Sequence, residues 1–305
     1  MNKRQLGKSD LYISEISLGC MSLGTDKEKA KSIIDRALDA GINYLDTADL
    51  YDFGRNEEIV GEAISGRRED LVIGTKVGNN FTAGQEGWTW DPSKEHIKEG
   101  VKESLARLGT DYIDLYQLHG GTIDDPMDES IEAFEDLKKE GLIREYGISS
   151  IRPNVIREYV KKSNIVSVMS QYSALDRRPE EEVLDLLHEN NISVLARGPL
   201  GKGILSSNGV DVAGKKADDG YLTYSYEEIL NIARKWQDLK NDRTPTAMAL
   251  QYVLHHPAVA TAVFGASSMR QLEDNLSFLE AAELNDEIYE QLQTLTQDIQ
   301  YDKHR

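Results

Sequence analysis

The 305-residue chain is predicted to be an α/β protein, a single-domain (β/α)8 TIM barrel over residues 1–305 with an N-terminal β-hairpin closing its bottom. Three observations predict this. Eight apolar strand runs each give way to a helical or loop-plus-helix stretch, and no linker divides them into separate domains. No G-x-G-x-x-G follows the first strand, which counts against an open dinucleotide-binding sheet. Residues able to do chemistry stand just beyond one strand run after another, and the C-terminal strand ends of a barrel converge on one face.

Taken in order, Arg4 to Leu6 and Ile13 to Ile16 flank the polar turn Gly7-Lys8-Ser9-Asp10 and predict the hairpin. Ile16 to Leu18, ending in Gly19-Cys20-Met21, is the first barrel strand, and Lys27 to Ala40 is its helix, with Gly41 as the stop. Asn43-Tyr44-Leu45-Asp46 supplies the second strand and Glu57 to Ile64 the second helix. Leu71 to Lys76 is the third strand; its helix begins after Asp91-Pro92-Ser93 and runs to Leu108. Tyr112 to Leu118 precedes Asp128 to Glu140, Glu145 to Ser149 precedes Arg152 to Lys161, and Ile165 to Gln171 precedes Pro179 to Asn190. The seventh strand, Ser193 to Ala196, leads past Arg197 into a polar loop extending to about Ser225, then helices Tyr226 to Leu239 and Thr244 to Leu254. Val259 to Phe264 and Met269 to Leu279 form the eighth unit.

A hydrophobic content of 39% over this length is enough to bury a large core. The one cysteine, Cys20, excludes an internal disulfide, and neither a secretory h-region nor a run of 18 or more apolar residues is present. A cytoplasmic location is expected. A formal net charge of -18 argues against nucleic-acid or anionic-membrane partners, which require clustered Lys and Arg.

Between Asn43 and Tyr51 an apolar pair ends in the carboxylate of Asp46, and Tyr51 follows on the turn before a helix. Alone, Asp46 reads more readily as a helix cap and Tyr51 as a packed ring with a wet hydroxyl. Lys76, His119, Ser149, Gln171, Arg197 and Gly265 also stand at strand ends. Their bland readings are a surface charge for Lys76 and a turn residue for His119, which precedes Gly120-Gly121.

In this order the residues resemble the aldo-keto reductase superfamily. Asp46 to Tyr51 matches D-T-A-x-x-Y, and Thr75-Lys76 and Tyr116-Gln117-Leu118-His119 match the next two strand-end motifs. Gly147-Ile148-Ser149, Gln171-Tyr172, the glycine-rich run Gly198 to Leu205, and Gly265 to Asn275 (G-A-S-x-x-x-Q-L-x-x-N) continue the match. The chain looks similar to the bacterial, potassium-channel β-subunit-like branch.

The resemblance implies NAD(P)H-dependent reduction of an aldehyde or ketone to an alcohol. Tyr51 would act as the general acid, with Lys76, Asp46 and His119 completing the catalytic set. A phenol of pKa about 10 is a poor acid near neutrality, and an adjacent ammonium makes it a better one. No metal is implied. Ser149 and Gln171, with Asp46 nearby, resemble the nicotinamide-carboxamide contacts. Gly198, Pro199, Leu200, Gly201 and Gly203 belong to the expected pyrophosphate belt, Arg197 just before them to the expected nicotinamide end, and Gly265, Ser267, Arg270, Gln271, Asp274 and Asn275 to the adenosine end. Gly19, Cys20 and Met21 complete the expected cofactor contacts.

The sequence departs from the family pattern in three places. Arg197 stands where relatives usually carry an aromatic, Phe264 where many carry Pro, and Ser267 where many carry a basic residue that recognises the 2′-phosphate. Arg270, three residues on, is the candidate substitute, and NADP(H) is favoured over NAD(H). Arg197 either lies against the nicotinamide or turns away to an acid on the loop after it. Phe81, Trp88, Trp90, Tyr221, Tyr224 and Tyr226 either wall a pocket for a small carbonyl substrate or pack the loops onto the rim. Two other functions fit less of the pattern: a slowly cycling, cofactor-binding redox-sensing subunit, and a barrel isomerase or lyase with Lys76 as a Schiff-base amine.

Overall fold

The computed structural model describes residues 1–82, 85–239 and 242–305. A short antiparallel hairpin, β1 (Lys3–Gln5) and β2 (Tyr12–Ser14), precedes the first barrel strand, β3 (Ile16–Gly19). The barrel continues with β4 (Tyr44–Asp46) and β5 (Val72–Val77); a two-strand ribbon, β6 (Asn79–Asn80) and β7 (Thr89–Trp90), decorates the loop after β5. The remaining barrel strands are β8 (Ile113–Leu118), β9 (Ile143–Ser149), β10 (Ser167–Gln171), β11 (Ser193–Arg197) and β12 (Val259–Gly265). Each pairs in parallel with the next, and β12 returns to β3, so the expected closed eight-stranded barrel is formed.

Helices α1 (Lys27–Asp39), α2 (Arg55–Ile64), α3 (Lys94–Leu108), α4 (Met127–Glu140), α5 (Pro153–Lys162) and α6 (Val183–Glu189) follow successive barrel strands. Three helices, α7 (Gly209–Lys216), α8 (Tyr226–Asp238) and α9 (Pro245–Leu254), separate β11 from β12, and α10 (Met269–Leu276) and α11 (Asp286–Thr294) complete the chain. Five details differ from the sequence expectation. The polar loop after Arg197 contains α7, whose apolar stripe of Val210, Val212 and Ala213 is too short to stand out in sequence. The Pro179 to Asn190 stretch divides into a 3-10 turn, Arg178–Glu181, and α6. The helix from Met269 ends at Leu276, and a 3-10 turn, Ser277–Glu280, follows. Neither α11 nor the β6–β7 ribbon was expected.

Alternation along the strands decides what faces where. On β4, Leu45 joins the shell packed beneath the helices, whereas Tyr44 belongs to the barrel interior. Leu6, Leu11 and Ile13 of the hairpin plug that interior from below, against Tyr44, Val72, Leu115 and Val166. The turn fits closely: Gly7 has φ +54 and an added Cβ would lie 2.3 Å from the Val166 carbonyl oxygen. Its N–H donates to Ser193 Oγ at 2.7 Å, at the start of β11. The bottom is thus filled and sealed, which leaves the opposite, C-terminal face for a site. Among the described residues no helix is long and apolar enough to cross a membrane.

Candidate active site

Two inward positions at the upper end of the barrel carry opposite charges. Asp46 closes β4 and Lys76 lies near the end of β5; Asp46 pairs in register with Gly74, so Lys76 stands one inward step above it. Gly74 is required there, because a Cβ would lie 2.3 Å from the Tyr44 hydroxyl. Lys76 is 0% exposed and Asp46 3%. The ammonium donates to Asp46 Oδ2 at 2.7 Å and to the Thr47 carbonyl at 2.6 Å, and reaches the Tyr51 hydroxyl at 3.5 Å. Tyr44 donates to the other Asp46 oxygen at 3.3 Å. Burial works against the ammonium, but Asp46 and Tyr51 outweigh it, and the net shift of Lys76 is upward. Burial pushes the Asp46 carboxyl up while Lys76 draws it back; with an ammonium in direct contact, the ion pair is the state the geometry favours.

Tyr51 opens a tight 3-10 turn, Tyr51–Gly54, in which Asp52 (φ 49) and Phe53 (φ 52) adopt left-handed conformations. Such non-glycine residues persist where the surroundings dictate the backbone path. Here Thr47 Oγ1 and Asn56 Oδ1 meet at 2.7 Å, and Asn56 Nδ2 donates to the Cys20 carbonyl at 2.9 Å. Beneath α2, the buried Glu57 accepts from Thr75 Oγ1 at 2.5 Å and from Arg107 Nε at 2.6 Å. Asp49, also buried, accepts from the N–H of Leu50 at 2.6 Å, and burial, reinforced by Glu57, raises its pKa to about 8.

His119 follows β8 and meets Tyr51 edge to face, with ring centroids 5.8 Å apart. Burial first, then Lys76 and Arg197, lower its pKa to about 3, so the imidazole is neutral. Its Nδ1 is buried without a hydrogen-bond partner, which favours the tautomer protonated at Nε2. The loop beyond is shaped by Trp90, whose indole donates to Asp125 Oδ2 at 3.0 Å. That ring lies against Gly78 (φ +125) and Gly120 (φ +142), where added Cβ atoms would come within 2.6 and 3.3 Å of it.

These groups open into a cleft of about 1680 Å³ across the barrel mouth. Of the residues expected to bind cofactor, Gly19, Met21, Asp46, Ser149, Gln171, Arg197, Gly198, Pro199, Leu200, Gly203, Gly265, Ser267, Arg270, Gln271, Asp274 and Asn275 line it. Cys20 and Gly201 do not. The Cys20 side chain is fully buried in the shell beneath the helices, where burial pushes its thiol pKa far up; an added Cβ on Gly201 would press on Leu175 at 2.8 Å. Arg197 donates from Nη1 to Gln171 Oε1 at 3.1 Å, and among the described residues it forms no ion pair, so the expected alternative of an acidic loop partner is not what is found. Gln171 in turn donates to Asp176 at 2.8 Å and to the Tyr221 hydroxyl at 3.2 Å. At the far end, Ser267 and the Ser268 cap of α10 are tied to Gln271, while the Oδ1 of the buried Asn275 has no partner.

Of the aromatics singled out in sequence, Trp88, Trp90 and Tyr221 line the cleft. Phe81 instead packs on Phe53 at 5.7 Å, and the Tyr224 hydroxyl accepts from the N–H of Gln297. Sequence reasoning missed Asn79, Thr122, Arg152, Lys202 and His304 as lining residues. His304 is brought over the mouth by the chain terminus, where its carbonyl accepts from the N–H of Asn154 at 2.9 Å. Arg152 is anchored on the Gly121 carbonyl. No local pattern marks either one.

Comparison with known proteins identifies the family. The aldo/keto reductase family model matches residues 15–297. The chain is 59% identical over 306 residues to the oxidoreductase YqkF of Bacillus subtilis, covering 100% of both proteins. It is 31% identical over 305 residues to the NADH-specific methylglyoxal reductase of Escherichia coli, covering 92% of this chain and 94% of that one. Among solved structures it resembles the holo form of the aldo-keto reductase AKR11C1 from Bacillus halodurans, at 56% identity and TM-score 0.93, over 100% of this chain and 99% of the other. With the barrel, the charged pair under a tyrosine and these likenesses together, the chain belongs to the aldo/keto reductase family.

Proposed function

We propose that the protein reduces aldehyde or ketone carbonyls to alcohols at the expense of NADPH, with Tyr51 as the general acid. One observation carries this reading: the Lys76 ammonium bridges Asp46 Oδ2 at 2.7 Å and the Tyr51 hydroxyl at 3.5 Å. As the Tyr51 proton passes to the carbonyl oxygen, charge develops on the phenol oxygen beside a buried cation, which stabilises it. Asp46 keeps that cation charged and in place. The neutral His119 donates from Nε2 to the same carbonyl oxygen and orients it, and Leu50, Trp88 and Trp90 line the cleft beside it.

A nicotinamide dinucleotide, when bound, supplies the hydride. The residues present fit such a group. Gly198 (φ +67) leaves open space where a Cβ would project, and Gly203 (φ +93) meets nothing closer than Val212 at 3.4 Å, so backbone could approach phosphates. The unpartnered Asn275 Oδ1 suits an adenine amino group, and Arg270, unpaired among the described residues and lining the cleft, suits a 2′-phosphate. Arg270 is the reason to favour NADP(H), although one relative is named NADH-specific.

The test is Tyr51→Phe. It should retain NADPH affinity by fluorescence titration and lose at least about two orders of magnitude in reduction rate over a panel of aldehydes and ketones, the low end of general-acid effects. Undiminished turnover in the variant would remove Tyr51 from this role. Tight cofactor retention by the parent with no turnover on any carbonyl would favour a redox-sensing subunit instead.

A further inference from the structure

We propose that Arg197 makes the site bind the reduced dinucleotide more tightly than the oxidised one, and so promotes departure of the spent cofactor; this rests on the carbonyl-reductase reading above. Most charges around the reaction point are paired. Asp46 and Lys76 neutralise one another at 2.7 Å. His119 is neutral. Asp176, the carboxylate on the hydrogen-bond chain from Gln171, is held by Nε and Nη2 of Arg178, both at 2.7 Å. Arg197 contributes a positive charge and donates to the neutral amide oxygen of Gln171.

Its position is fixed by the sheet. Gln171 and Arg197 are register partners at the ends of β10 and β11, and both line the cleft with Tyr51 and His119. The guanidinium charge is felt at His119, where it adds to burial and Lys76 in disfavouring the imidazolium. A cation formed beside a carbonyl that reaches both Tyr51 and His119 would share this cleft with Arg197.

The reaction forms such a cation. Reduction moves one hydride from the dihydronicotinamide carbon to the carbonyl carbon and one proton from the Tyr51 hydroxyl to the carbonyl oxygen. A C–H and an O–H bond form in the product, and the neutral dihydropyridine becomes a pyridinium of charge +1. Two unit charges about 6 Å apart, with an effective dielectric constant between about 20 and 80, repel enough to change a binding constant by roughly three- to a hundredfold. A neutral aromatic at this strand end would lie against either oxidation state without that repulsion. A contact from Arg197 to a cofactor phosphate would act equally on both forms, because the phosphates do not change charge.

The experiment is a set of dissociation constants for NADPH and NADP⁺, by fluorescence or calorimetric titration, with the parent, Arg197→Met and Arg197→Lys. The parent should favour the reduced form by at least about threefold, Arg197→Met should bring the ratio toward one chiefly by tightening NADP⁺, and Arg197→Lys should keep it. As a second readout, the midpoint potential of the bound couple in the parent should lie above the free couple by about 30 mV per tenfold preference. A ratio unchanged in Arg197→Met, equal weakening of both forms, or a parent with no preference overturns the proposal. Should Arg197→Met not fold, Arg197→Gln replaces it and the parent potential still decides. Failure of the parent to bind either form is a separate outcome: it refutes the carbonyl-reductase reading and this inference with it.

Discussion

Lys76→Met separates two consequences of one buried cation. The parent ammonium lies 3.5 Å from the Tyr51 hydroxyl. At an effective dielectric constant of about 20, its attraction for a phenolate there is about 5 kcal/mol, and at about 1.4 kcal/mol per decade this caps the rate loss near three and a half decades. Partial compensation by solvent and by the remaining hydroxyl contacts brings the expected loss to between about two and three decades, within the range seen for general acid–base groups. Stability should suffer as well. With its cation removed, Asp46, only 3% exposed, is a buried carboxylate that keeps the Tyr44 hydroxyl as a donor but has no cation to balance it; breaking such a pair costs about 3–5 kcal/mol.

Adding Asp46→Asn removes the stranded charge. The double variant should therefore recover stability, with a coupling of roughly 0.5–3 kcal/mol by denaturant unfolding, and recover none of the activity. Single-turnover reduction under saturating NADPH reads the chemical step apart from binding. Strictly additive stability losses would mean that Asp46 and Lys76 do not act as a pair. Single-turnover rates near the parent's in Lys76→Met would mean that the ammonium is not what assists Tyr51.

Arg270→Ala should weaken NADPH more than NADH, because only NADPH carries the 2′-phosphate to which a guanidinium can bond in two places; equal losses by titration would assign Arg270 to the solvated face of α10. Asp49 gives a pH prediction. Burial raises its folded pKa from 3.8 to about 8, so the folded state holds the extra proton and stability falls as pH rises from about 4 through 8. Asp49→Asn, which can still accept from the Leu50 N–H, should flatten that decline and raise the melting temperature at pH 8 relative to the parent; parallel curves for the two proteins would show that this carboxyl is not the cause. Gly78→Ala places a methyl 2.6 Å from the Trp90 ring at φ +125, and should cost at least about 1 kcal/mol while raising KM more than it lowers kcat; a KM equal to the parent's would mean that Trp90 does not border the bound substrate.

The barrel was legible in the amino-acid sequence from local periodicity, which also placed Asp46 and Lys76 at strand ends; that they form a catalytic centre came from the family resemblance. Strand parity puts Tyr44 and Asp46 on one face of β4 and Lys76 on the matching face of β5, and the regular succession of units brings their C-terminal ends to one mouth. Tyr51 and His119 follow by chain proximity to those ends. Whatever depended on contacts between distant segments was not legible. Cys20 occupies a strand-end position like Gly19, yet its side chain turns into the shell beneath the helices and Gly19 borders the cleft. Arg197 could have met an acid on its own loop; register with Gln171 on the neighbouring strand gave it a neutral partner instead. Gly78 and Gly120, far apart in sequence, are both required by the Trp90 ring, and His304 reaches the cleft from the end of the chain. Local sequence settles which way a side chain points from its own strand. Only tertiary packing settles which distant atoms occupy the space it points into, and whether a charge placed there is neutralised.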